Sequence, residues 1–383
     1  MKKLLYVTGS RAEYGIMKRL LLALKEDKEI DFTLVATGMH CDENYGNTYK
    51  VIEQDGFEID KLININIDTS NNAKILQSMS ICQSEFGQYF QDNKFDAVII
   101  LGDRYEIFSV AIAAAMHNLP IIHLHGGEKT LGNYDEFIRH SITKMSKLHL
   151  ASTEEYRKRI IQMGEHPDTV FNVGALGAEN AMLMDLPNKE ALETRFGNFD
   201  KPYFMVVFHP ETLSVTSVEV QFNELLLALD GFTGEYDFFF IGSNSDTGAD
   251  KIKDKTLEFC AKTKSKYFTS VQPEEYLALN KYSQGLIGNS SSGLIEIPSL
   301  KIPTINIGDR QKGRVRGLSV IDVKCDRRSI LDGIIKSKTN ILNCNGDNPY
   351  YKKNVMSKIT RLINSEIDKL SYNKDFYDND GAM

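Results

Sequence analysis

Short apolar runs alternate with amphipathic stretches along most of the chain. Continuous apolar runs are typical of strands that are buried on both faces of a parallel sheet. Between them, apolar residues recur at helical spacing, as in residues 10–24, which is typical of amphipathic helices. The pattern predicts strands at residues 4–7, 32–37, 96–101, 120–124, 170–173, 203–208, 237–241, 268–271, 286–287 and 303–307.

This regular alternation predicts the α/β class, with doubly wound parallel sheets. At 383 residues the chain is too long for one ordinary core, and the alternation softens over residues 186–201 before it restarts. We therefore expect two domains, residues 1–174 and 175–349, that face each other across a cleft. We expect residues 350–370 to form a helix that returns to the first domain, and the tail after residue 372 to fray.

A turn of small polar residues, 288–293, follows one apolar strand and precedes a predicted helix. Small residues let backbone N–H groups approach a bulky anion, and a helix N-terminus adds a favourable dipole. The hydroxyls of Ser290 and Ser291 suit phosphate oxygens, and the carboxylate of Glu296 suits the two hydroxyls of a ribose. The cations that follow the next strand are Arg310, Lys312, Arg314 and Arg316. Alone they are typical of a solvated loop, but beside this turn they favour a site for a nucleotide diphosphate.

Polar residues also follow the predicted strands of the first half. They are Arg11, His40, Asp103, Arg104, His125, Glu128 and Asp135. Ligands of doubly wound sheets bind at the carboxyl ends of the strands, so we expect these side chains to share one rim. Ser10 and Glu13 have the spacing of a capping box, which places Arg11 in the first turn of a helix. A cation there opposes the helix dipole and is well placed to bind an anion.

The composition excludes several classes of protein. The formal net charge of −7 argues against a nucleic-acid partner. The five cysteines form no CxxC pair, so we expect neither a zinc site nor a disulfide framework, and we expect a reducing cytoplasm. The apolar run near the N-terminus is too short for a signal peptide, and no apolar stretch approaches the ~20 residues that a membrane span needs.

The available side chains favour proton transfer. His123, His125 and Glu128 also allow a metal site, because alternate residues of a strand share a face. We favour a site without metal, since glycines separate these residues and no second carboxylate–histidine pair supports them. The chain contains no GxSxG motif. Carboxylates and histidines beside a nucleotide diphosphate site indicate acid–base chemistry on a sugar whose leaving group is that diphosphate.

Ordered motifs run along the chain: TGSRAEYG, TGMH, LGDRYE, HGGE followed by DEFIRH, FHPET, IGNSSSG followed by a glutamate, and GDRQKGR. Over residues 1–365 the chain resembles the hydrolysing UDP-N-acetylglucosamine 2-epimerases, particularly the bacterial enzymes that make N-acetylmannosamine for sialic-acid capsules. The resemblance implies a glycosyltransferase-B-like fold of two Rossmann-like domains. It also implies elimination of UDP to a bound 2-acetamidoglucal and hydration to N-acetylmannosamine, with no NAD, metal or other cofactor.

The resemblance further implies roles for individual residues. Asp103 and Asp135 match acidic residues implicated in elimination and hydration, and His209 matches a histidine that touches the diphosphate. The residues that match the UDP site are Arg11, Arg104, His209, Asn244, Val271, Ser290, Ser291, Glu296 and Arg310. Val271 would contact uracil through its backbone.

One position departs from the family pattern. Many relatives read His-x-Glu-Gly-Gly-Glu, and the first glutamate is proposed to act in catalysis. Here that position is His125, and only Glu128 remains. Either His125 or Glu128 is therefore expected to transfer the proton.

The resemblance leaves other functions open. Some relatives act on UDP-diacetylbacillosamine, and the non-hydrolysing epimerases return UDP-N-acetylmannosamine. A retaining glycosyltransferase of the same fold would need an acceptor, and a UDP-sugar sensor would release no product. We expect a cytoplasmic homo-oligomer, either a dimer or a tetramer, that binds a UDP-sugar and neither nucleic acid nor a membrane.

Overall fold

Two β-sheets form the framework of the molecule. The computed structural model describes residues 1–243, 245–339, 344, 347–370 and 373–378. In these ranges the first sheet contains β1 (Lys2–Thr8), β2 (Ile30–Thr37), β3 (Lys61–Ile63), β4 (Ala97–Leu101), β5 (Ile121–Leu124), β6 (Leu148–Ala151) and β7 (Val170–Asn172). The second contains β8 (Tyr203–Val207), β9 (Asp237–Ile241), β10 (Lys266–Phe268), β11 (Leu286–Gly288), β12 (Thr304–Ile307) and β13 (Val320–Val323).

Both sheets are parallel and doubly wound. The strand order is β3-β2-β1-β4-β5-β6-β7 in the first sheet and β10-β9-β8-β11-β12-β13 in the second. Neighbouring strands pair in parallel throughout. The order reverses between β1 and β4 and between β8 and β11, and such switch points are where these sheets bind ligands. The predicted α/β class with two facing Rossmann-like units is confirmed.

Helices cover the faces of both sheets. Those of the N-terminal half are α1 (Arg11–Glu26), α2 (Tyr49–Gln54), α3 (Asn72–Asp92), α4 (Tyr105–Met116), α5 (Asp135–Met145), α6 (Glu154–Gln162) and α7 (Leu176–Leu183). Those that follow are α8 (Lys189–Phe196), α9 (Val218–Asp230), α10 (Ala249–Lys262), α11 (Pro273–Lys281), α12 (Ser292–Ile295), α13 (Arg327–Thr339) and α14 (Val355–Glu366). Across the described ranges, no helix is long and apolar enough to cross a membrane.

Some elements differ from the sequence prediction. The strands β3, β6 and β13 contain only three or four residues, too few for an apolar pattern to stand out. The strand predicted at 268–271 lies earlier, because β10 ends at Phe268. The polar stretch 186–201 contains α8, where the Asn188 side chain accepts a hydrogen bond from the Ala191 N–H. Burial of Leu192 then stabilises a helix that periodicity alone does not predict.

The C-terminal helix returns to the first sheet, as the sequence predicts. Val355, Ile359 and Ile363 are fully buried in the core that also contains β1 and α1. The carboxylate of Glu179 accepts hydrogen bonds from the N–H groups of Val355 at 2.8 Å and Met356 at 3.1 Å. A carboxylate at a helix N-terminus satisfies otherwise unpaired donors and complements the helix dipole, which fixes the start of α14.

The segment 373–378 lies against the N-terminal domain without forming a helix or a strand. The ammonium group of Lys374 donates to the carbonyl of Ser146 at 2.5 Å and pairs with Glu165 at 2.7 Å. These contacts hold the segment on the N-terminal domain. The prediction that the chain frays after residue 372 is therefore wrong for residues 373–378. The domain boundaries at 174/175 and 349/350 stay a prediction.

Gly288 ends β11 and leads directly into the serine turn. Its φ is +141°, and a Cβ atom at this position would lie 1.9 Å from the carbonyl oxygen of Val207 in β8. The next residue, Asn289, donates its N–H to that same carbonyl at 3.1 Å. The close approach of two strands therefore requires glycine at the entrance to the turn.

We predict that Gly288→Ala lowers the free energy of unfolding by about 2–4 kcal/mol, because the added methyl group forces β8 and β11 apart and strains the backbone. Urea denaturation measures this loss. The matched control is Gly87→Ala in α3, where a Cβ atom would meet nothing within 4 Å. That change should leave stability equal or raise it by about 0.5–1 kcal/mol. Equal effects of the two substitutions would contradict the prediction.

Candidate active site

The carboxyl ends of both sheets face one cleft, which contains two adjoining cavities. The residues that line both cavities include Ser291, Glu296 and Arg310. The predicted site residues that line only the first are Arg11, His209 and Ser290. Those that line only the second are Asp103, Arg104, His125 and Asp135. The tertiary structure therefore brings most of the predicted site residues of both domains to one space.

Arg11 is the first residue of α1. The Ser10 hydroxyl accepts from the Glu13 N–H at 3.4 Å, which confirms Ser10 as the N-cap. The Glu13 carboxylate accepts from the Gly9 N–H at 2.9 Å and not from the Ser10 N–H, so the reciprocal bond of the predicted capping box is displaced by one residue. Burial lowers the pKa of Arg11 to about 10. Within the described ranges, its guanidinium group makes no hydrogen bond or ion pair. A half-buried cation without a partner favours an anionic ligand.

Asp103 is held by a fully buried arginine of α5. Arg139 donates to the Asp103 carboxylate, to the carbonyl oxygen of Glu128 at 3.0 Å and to the hydroxyl of Thr130 at 2.9 Å. Burial alone would raise the pKa of Asp103, but the charges of Arg139 and Arg314 outweigh it and hold the pKa below its usual value. Asp103 is therefore an ionised carboxylate in the cavity.

Asp135 begins α5 and has the opposite electrostatic character. The Asn133 side chain donates to its carboxyl group at 2.8 Å, and the Arg310 guanidinium lies 3.8 Å away. Burial raises the pKa of Asp135 to about 7, and the negative charges of Asp103 and Asp246 add to this effect. One cavity thus holds an ionised carboxylate and a carboxyl group that retains its proton near neutral pH. Such a pair suits a proton acceptor and a proton donor.

His125 and Glu128 act as a pair behind the second cavity. The Nδ1 atom of His125 lies 2.8 Å from Glu128 Oε1, and the other carboxylate oxygen lies 2.7 Å from the Arg314 guanidinium. Burial would raise the pKa of Glu128, but the charge of Arg314 and the bond to His125 hold it well below its usual value. Glu128 is fully buried and lines neither cavity, whereas His125 lines the second. Of the two alternatives, His125 is therefore the one that faces the cavity.

Arg104 connects the two walls of the cleft. Its Nε atom donates to the fully buried carboxylate of Glu106, and its Nη2 atom donates to the Ser245 hydroxyl of the other domain at 2.5 Å. Burial alone would lower the pKa of Arg104, but the charges of Glu106 and Asp246 raise it well above its usual value. Arg104 is therefore a fixed positive charge at the second cavity.

Asn289 organises the C-terminal wall. Its side chain accepts from the His209 N–H at 2.7 Å and donates to the His209 carbonyl at 2.8 Å. Its own carbonyl oxygen accepts from the Arg310 guanidinium at 3.2 Å. Burial and the charges of Arg310 and Arg104 lower the pKa of His209 well below its usual value. The first cavity therefore contains a neutral imidazole beside cationic guanidinium groups.

The serine turn leads into α12, a short helix that contains only the four residues Ser292–Ile295. Ser292 Oγ lies 3.0 Å from Ser290 Oγ and 2.6 Å from the Tyr276 hydroxyl oxygen. Glu296 follows the helix and packs on Gly177, where a Cβ atom would lie 2.5 Å from its carboxylate. Burial raises the pKa of Glu296 to about 7. Within the described ranges no group donates a hydrogen bond to this carboxylate, so a ligand with paired hydroxyls would supply the missing donors.

Two cations of the basic loop turn away from the cleft, contrary to expectation. Lys312 lies 3.3 Å from Asp309, and Arg316 pairs with Asp322. Both line a separate polar cavity on the other side of the loop. Arg314 lines the second cavity of the cleft, but its charge is already paired with Glu128. Of the four, only Arg310 lines both cavities.

The structure does not place two residues of the predicted UDP site at the cavities: one lies in the core and the other is not described. Val271 is 3% exposed and packs in the core of the C-terminal domain, although Pro273, two residues later, lines the first cavity. Asn244 lies outside the described residues. Their contacts with a nucleotide stay predictions.

The metal alternative finds no support in the geometry. His123 is fully buried, and its Nε2 atom lies 2.8 Å from the Gly102 carbonyl oxygen. His125 has a φ of +65°, which turns the chain away from the strand that carries His123. In the part of the chain that the structure describes, no group of three His, Cys, Asp or Glu side chains is arranged to hold a metal ion.

Sequence reasoning missed two residues of the site, Arg139 and Asp246, and assigned a different role to Arg314. Arg139 lies one helical turn after Asp135, and that spacing was the available signal for a buried arginine at the site. Arg314 was read as a ligand for phosphate, whereas it neutralises Glu128. Asp246 follows β9 and lines the second cavity. Its position after a strand is the same signal that identifies Asp103, and it was available in the sequence.

Comparison with known proteins agrees with this architecture. The chain matches the family model UDP-N-acetylglucosamine 2-epimerase over residues 22–364. It is 60% identical over 382 residues to polysialic acid biosynthesis protein P7 of Escherichia coli, which covers 99% of this chain and 98% of that protein. It is 40% identical over 324 residues to GDP/UDP-N,N'-diacetylbacillosamine 2-epimerase (hydrolyzing) of Campylobacter jejuni, which covers 84% of each.

A solved structure shares the fold over nearly the whole chain. The structure of UDP-GlcNAc 2-epimerase from Neisseria meningitidis bound to UDP-GlcNAc has a TM-score of 0.78 at 18% identity, and the match covers 95% of this chain and 100% of that one. Sequence identity, the family model and the two-domain fold agree over most of the chain, and the chain therefore belongs to the UDP-N-acetylglucosamine 2-epimerase family.

Proposed function

We propose that the protein is a hydrolysing UDP-N-acetylglucosamine 2-epimerase that releases UDP and N-acetylmannosamine. The observation that carries the proposal is the pairing of two kinds of group in one cleft. Within the described ranges, the Arg11 guanidinium has no ion-pair partner and the Glu296 carboxylate has no hydrogen-bond donor. A nucleotide would supply phosphates for the first and ribose hydroxyls for the second. Asp103 and Asp135 adjoin them and differ in protonation, as a proton transfer requires.

The first cavity suits UDP. Arg11 and Arg310 supply positive charge for the two phosphates, and Ser290 and Ser291 supply hydroxyl donors beside them. The neutral ring of His209 can donate to a phosphate oxygen without adding charge. The Glu296 carboxylate then accepts hydrogen bonds from the ribose hydroxyls, and these hydroxyls supply the donors that the protein does not provide within the described ranges. In this arrangement the sugar extends into the second cavity.

In the elimination step, a base takes the C2 hydrogen as a proton. The C2–H electron pair forms the C1=C2 double bond, and the C1–O bond breaks so that UDP leaves with its electron pair. Two groups at the second cavity can accept the proton: the ionised carboxylate of Asp103 and the imidazole of His125. Glu128 faces Nδ1 of His125, which favours the tautomer with a proton there and leaves Nε2 free to accept.

In the hydration step, the 2-acetamidoglucal gains water across the double bond. The water oxygen bonds to C1 and loses a proton to the base of the elimination step, which has by then released its first proton to solvent. C2 gains a proton on the opposite face, which inverts that carbon. Inversion needs a donor distinct from the original base. Asp135 suits this role, because its pKa of about 7 leaves a large protonated fraction at neutral pH. The products are N-acetylmannosamine and UDP.

The names of two relatives support the hydrolysing reaction and its place in sialic-acid synthesis. The relative from Campylobacter jejuni is a hydrolysing 2-epimerase, and it is 40% identical to this chain. The relative from Escherichia coli, at 60% identity, is a polysialic acid biosynthesis protein. The first of these also motivates a second candidate, the same hydrolytic epimerisation of UDP-diacetylbacillosamine. A homo-oligomeric state stays a prediction.

An NMR time course tests the proposal directly. With UDP-N-acetylglucosamine in D₂O, we expect UDP and N-acetylmannosamine to appear together, with deuterium at C2 because the returning proton comes from solvent. UDP-diacetylbacillosamine in parallel tests the second candidate. A non-hydrolysing epimerase would instead yield UDP-N-acetylmannosamine, and a glycosyltransferase or a sensor would leave the donor intact. Product without deuterium at C2 would rule out the elimination route.

We predict that Asp103→Asn reduces turnover by about 10²–10⁴-fold, because the variant loses an ionised proton acceptor. UDP affinity, measured by titration calorimetry, should remain close to that of the wild type. The matched control is Asp96→Asn, at the opposite end of the same strand, where the side chain accepts from the Lys3 N–H at 2.7 Å. Unchanged turnover in Asp103→Asn would remove this residue from the mechanism.

We predict that Glu296→Gln weakens UDP binding about tenfold at pH 8 and much less at pH 6. The pKa of Glu296 is raised to about 7, so its carboxylate is ionised at pH 8 and accepts strongly from the ribose, whereas at pH 6 the wild type is already largely neutral. Protonation of UDP itself affects both proteins equally. The 2′-deoxy analogue of UDP should lose affinity in the wild type and not in the variant. If the ratio of the UDP affinities of variant and wild type were the same at both pH values, the proposed contact with the ribose would be excluded.

A further inference from the structure

Asp246 is an acidic residue of the C-terminal wall that the proposed reaction does not yet use. It follows β9, is 4% exposed and lines the second cavity together with Asp103 and Asp135 of the N-terminal wall. Its Oδ2 atom has no hydrogen-bond partner within the described ranges. A buried carboxylate in this position acts on the neighbouring charges more strongly than an exposed one would, because less solvent screens it.

Contacts between the two walls hold Asp246 opposite the start of α5. Its Oδ1 atom lies 3.5 Å from the Tyr134 hydroxyl, and Tyr134 directly precedes Asp135. The Tyr134 N–H donates to the Thr212 hydroxyl of the C-terminal wall at 2.9 Å. The neighbouring Ser245 accepts from Arg104 at 2.5 Å. Asp246 is therefore positioned by the same contacts that bring the walls together.

Four charged groups act on Asp135, two from each wall. Asp103 and Arg139 belong to the N-terminal wall, and Asp246 and Arg310 belong to the C-terminal wall. Burial raises the pKa of Asp135 to about 7, Asp103 and Asp246 raise it, and Arg310 and Arg139 oppose them. Arg310 is also the cation expected at the phosphates. A bound diphosphate would partly neutralise its charge, so the effect of Asp103 and Asp246 on the pKa of Asp135 would be larger.

We propose that Asp246 is a positioning residue that acts across the cleft, and that its negative charge keeps the proton on Asp135 while the two walls are together. The inference rests on the proposed function only for the use of that proton in hydrating C2. Separation of the walls removes Asp246 and admits water to Asp135, and both changes favour loss of the proton. It also removes Arg310, which favours retention, but burial and Asp246 each act on Asp135 more strongly than Arg310 does. The donor is then assembled by closure of the cleft, so it is present when the intermediate is enclosed.

The test compares Asp246→Asn with the wild type. The substitution keeps the shape and the bond to Tyr134 but removes the charge. We expect the titration midpoint of the Asp135 carboxyl group, followed by ¹³C NMR of aspartate-labelled full-length protein with UDP, to fall by about one pH unit. We expect kcat to fall several-fold at pH 8 and little at pH 6, since the donor must be protonated, and KM to change less than kcat.

Two further variants separate this charge effect from a structural one. Asp246→Glu keeps the charge and should keep the midpoint near that of the wild type, whereas Asp246→Ser should lower it as Asp246→Asn does. The control for net charge is Asp250→Asn, at an exposed residue near the start of α10, which should not move the midpoint. An unchanged midpoint in Asp246→Asn, or an equal shift in Asp246→Glu, would overturn the proposal. The titration needs no turnover, so its outcome is distinct from failure of the proposed reaction.

Discussion

Ion pairs and hydrogen bonds of buried charged groups join the two walls of the cleft. The central example is Glu128 of the N-terminal wall, which lies 2.7 Å from Arg314 of the C-terminal wall. Breaking such a buried pair by loss of one partner costs on the order of 3–5 kcal/mol, because the remaining charge stays out of water. Arg104 and Arg310 cross the cleft in the same way, toward Ser245 and Asp135. The site therefore depends on the two walls remaining in register.

This constraint explains how similar side chains acquire different roles. Asp103 and Asp135 are both poorly exposed and line one cavity, yet the charges of Arg139 and Arg314 favour ionisation of the first. Asp135 instead faces the negative charges of Asp103 and Asp246, so burial is reinforced and the proton is retained. The chemistry of the cleft is thus decided by which charged partners each carboxyl group meets, some on its own wall and some on the other.

The sequence predicted the fold well because the physical causes are local. Apolar runs identify buried strands, and the cap residue Ser10, three residues before Glu13, identifies the start of α1. Most of the predicted site residues line the cleft, because residues that follow parallel strands meet at one edge of a sheet. The predictions failed where packing decides. The short strands β3, β6 and β13 depend on neighbouring strands, and α8 depends on the burial of Leu192.

By itself, the sequence determined the α/β class and the rim of polar residues after the strands, because strand burial and helix capping act over a few neighbouring residues. The tertiary structure alone decided which cations remain available for a ligand. Arg11 stays unpaired within the described ranges, while Arg314 and Arg316, equally basic in sequence, pair with Glu128 and Asp322. Such pairing joins residues that are distant in the chain, so only the folded arrangement determines it. The same is true of the protonation of Asp135, which depends on charges from both walls.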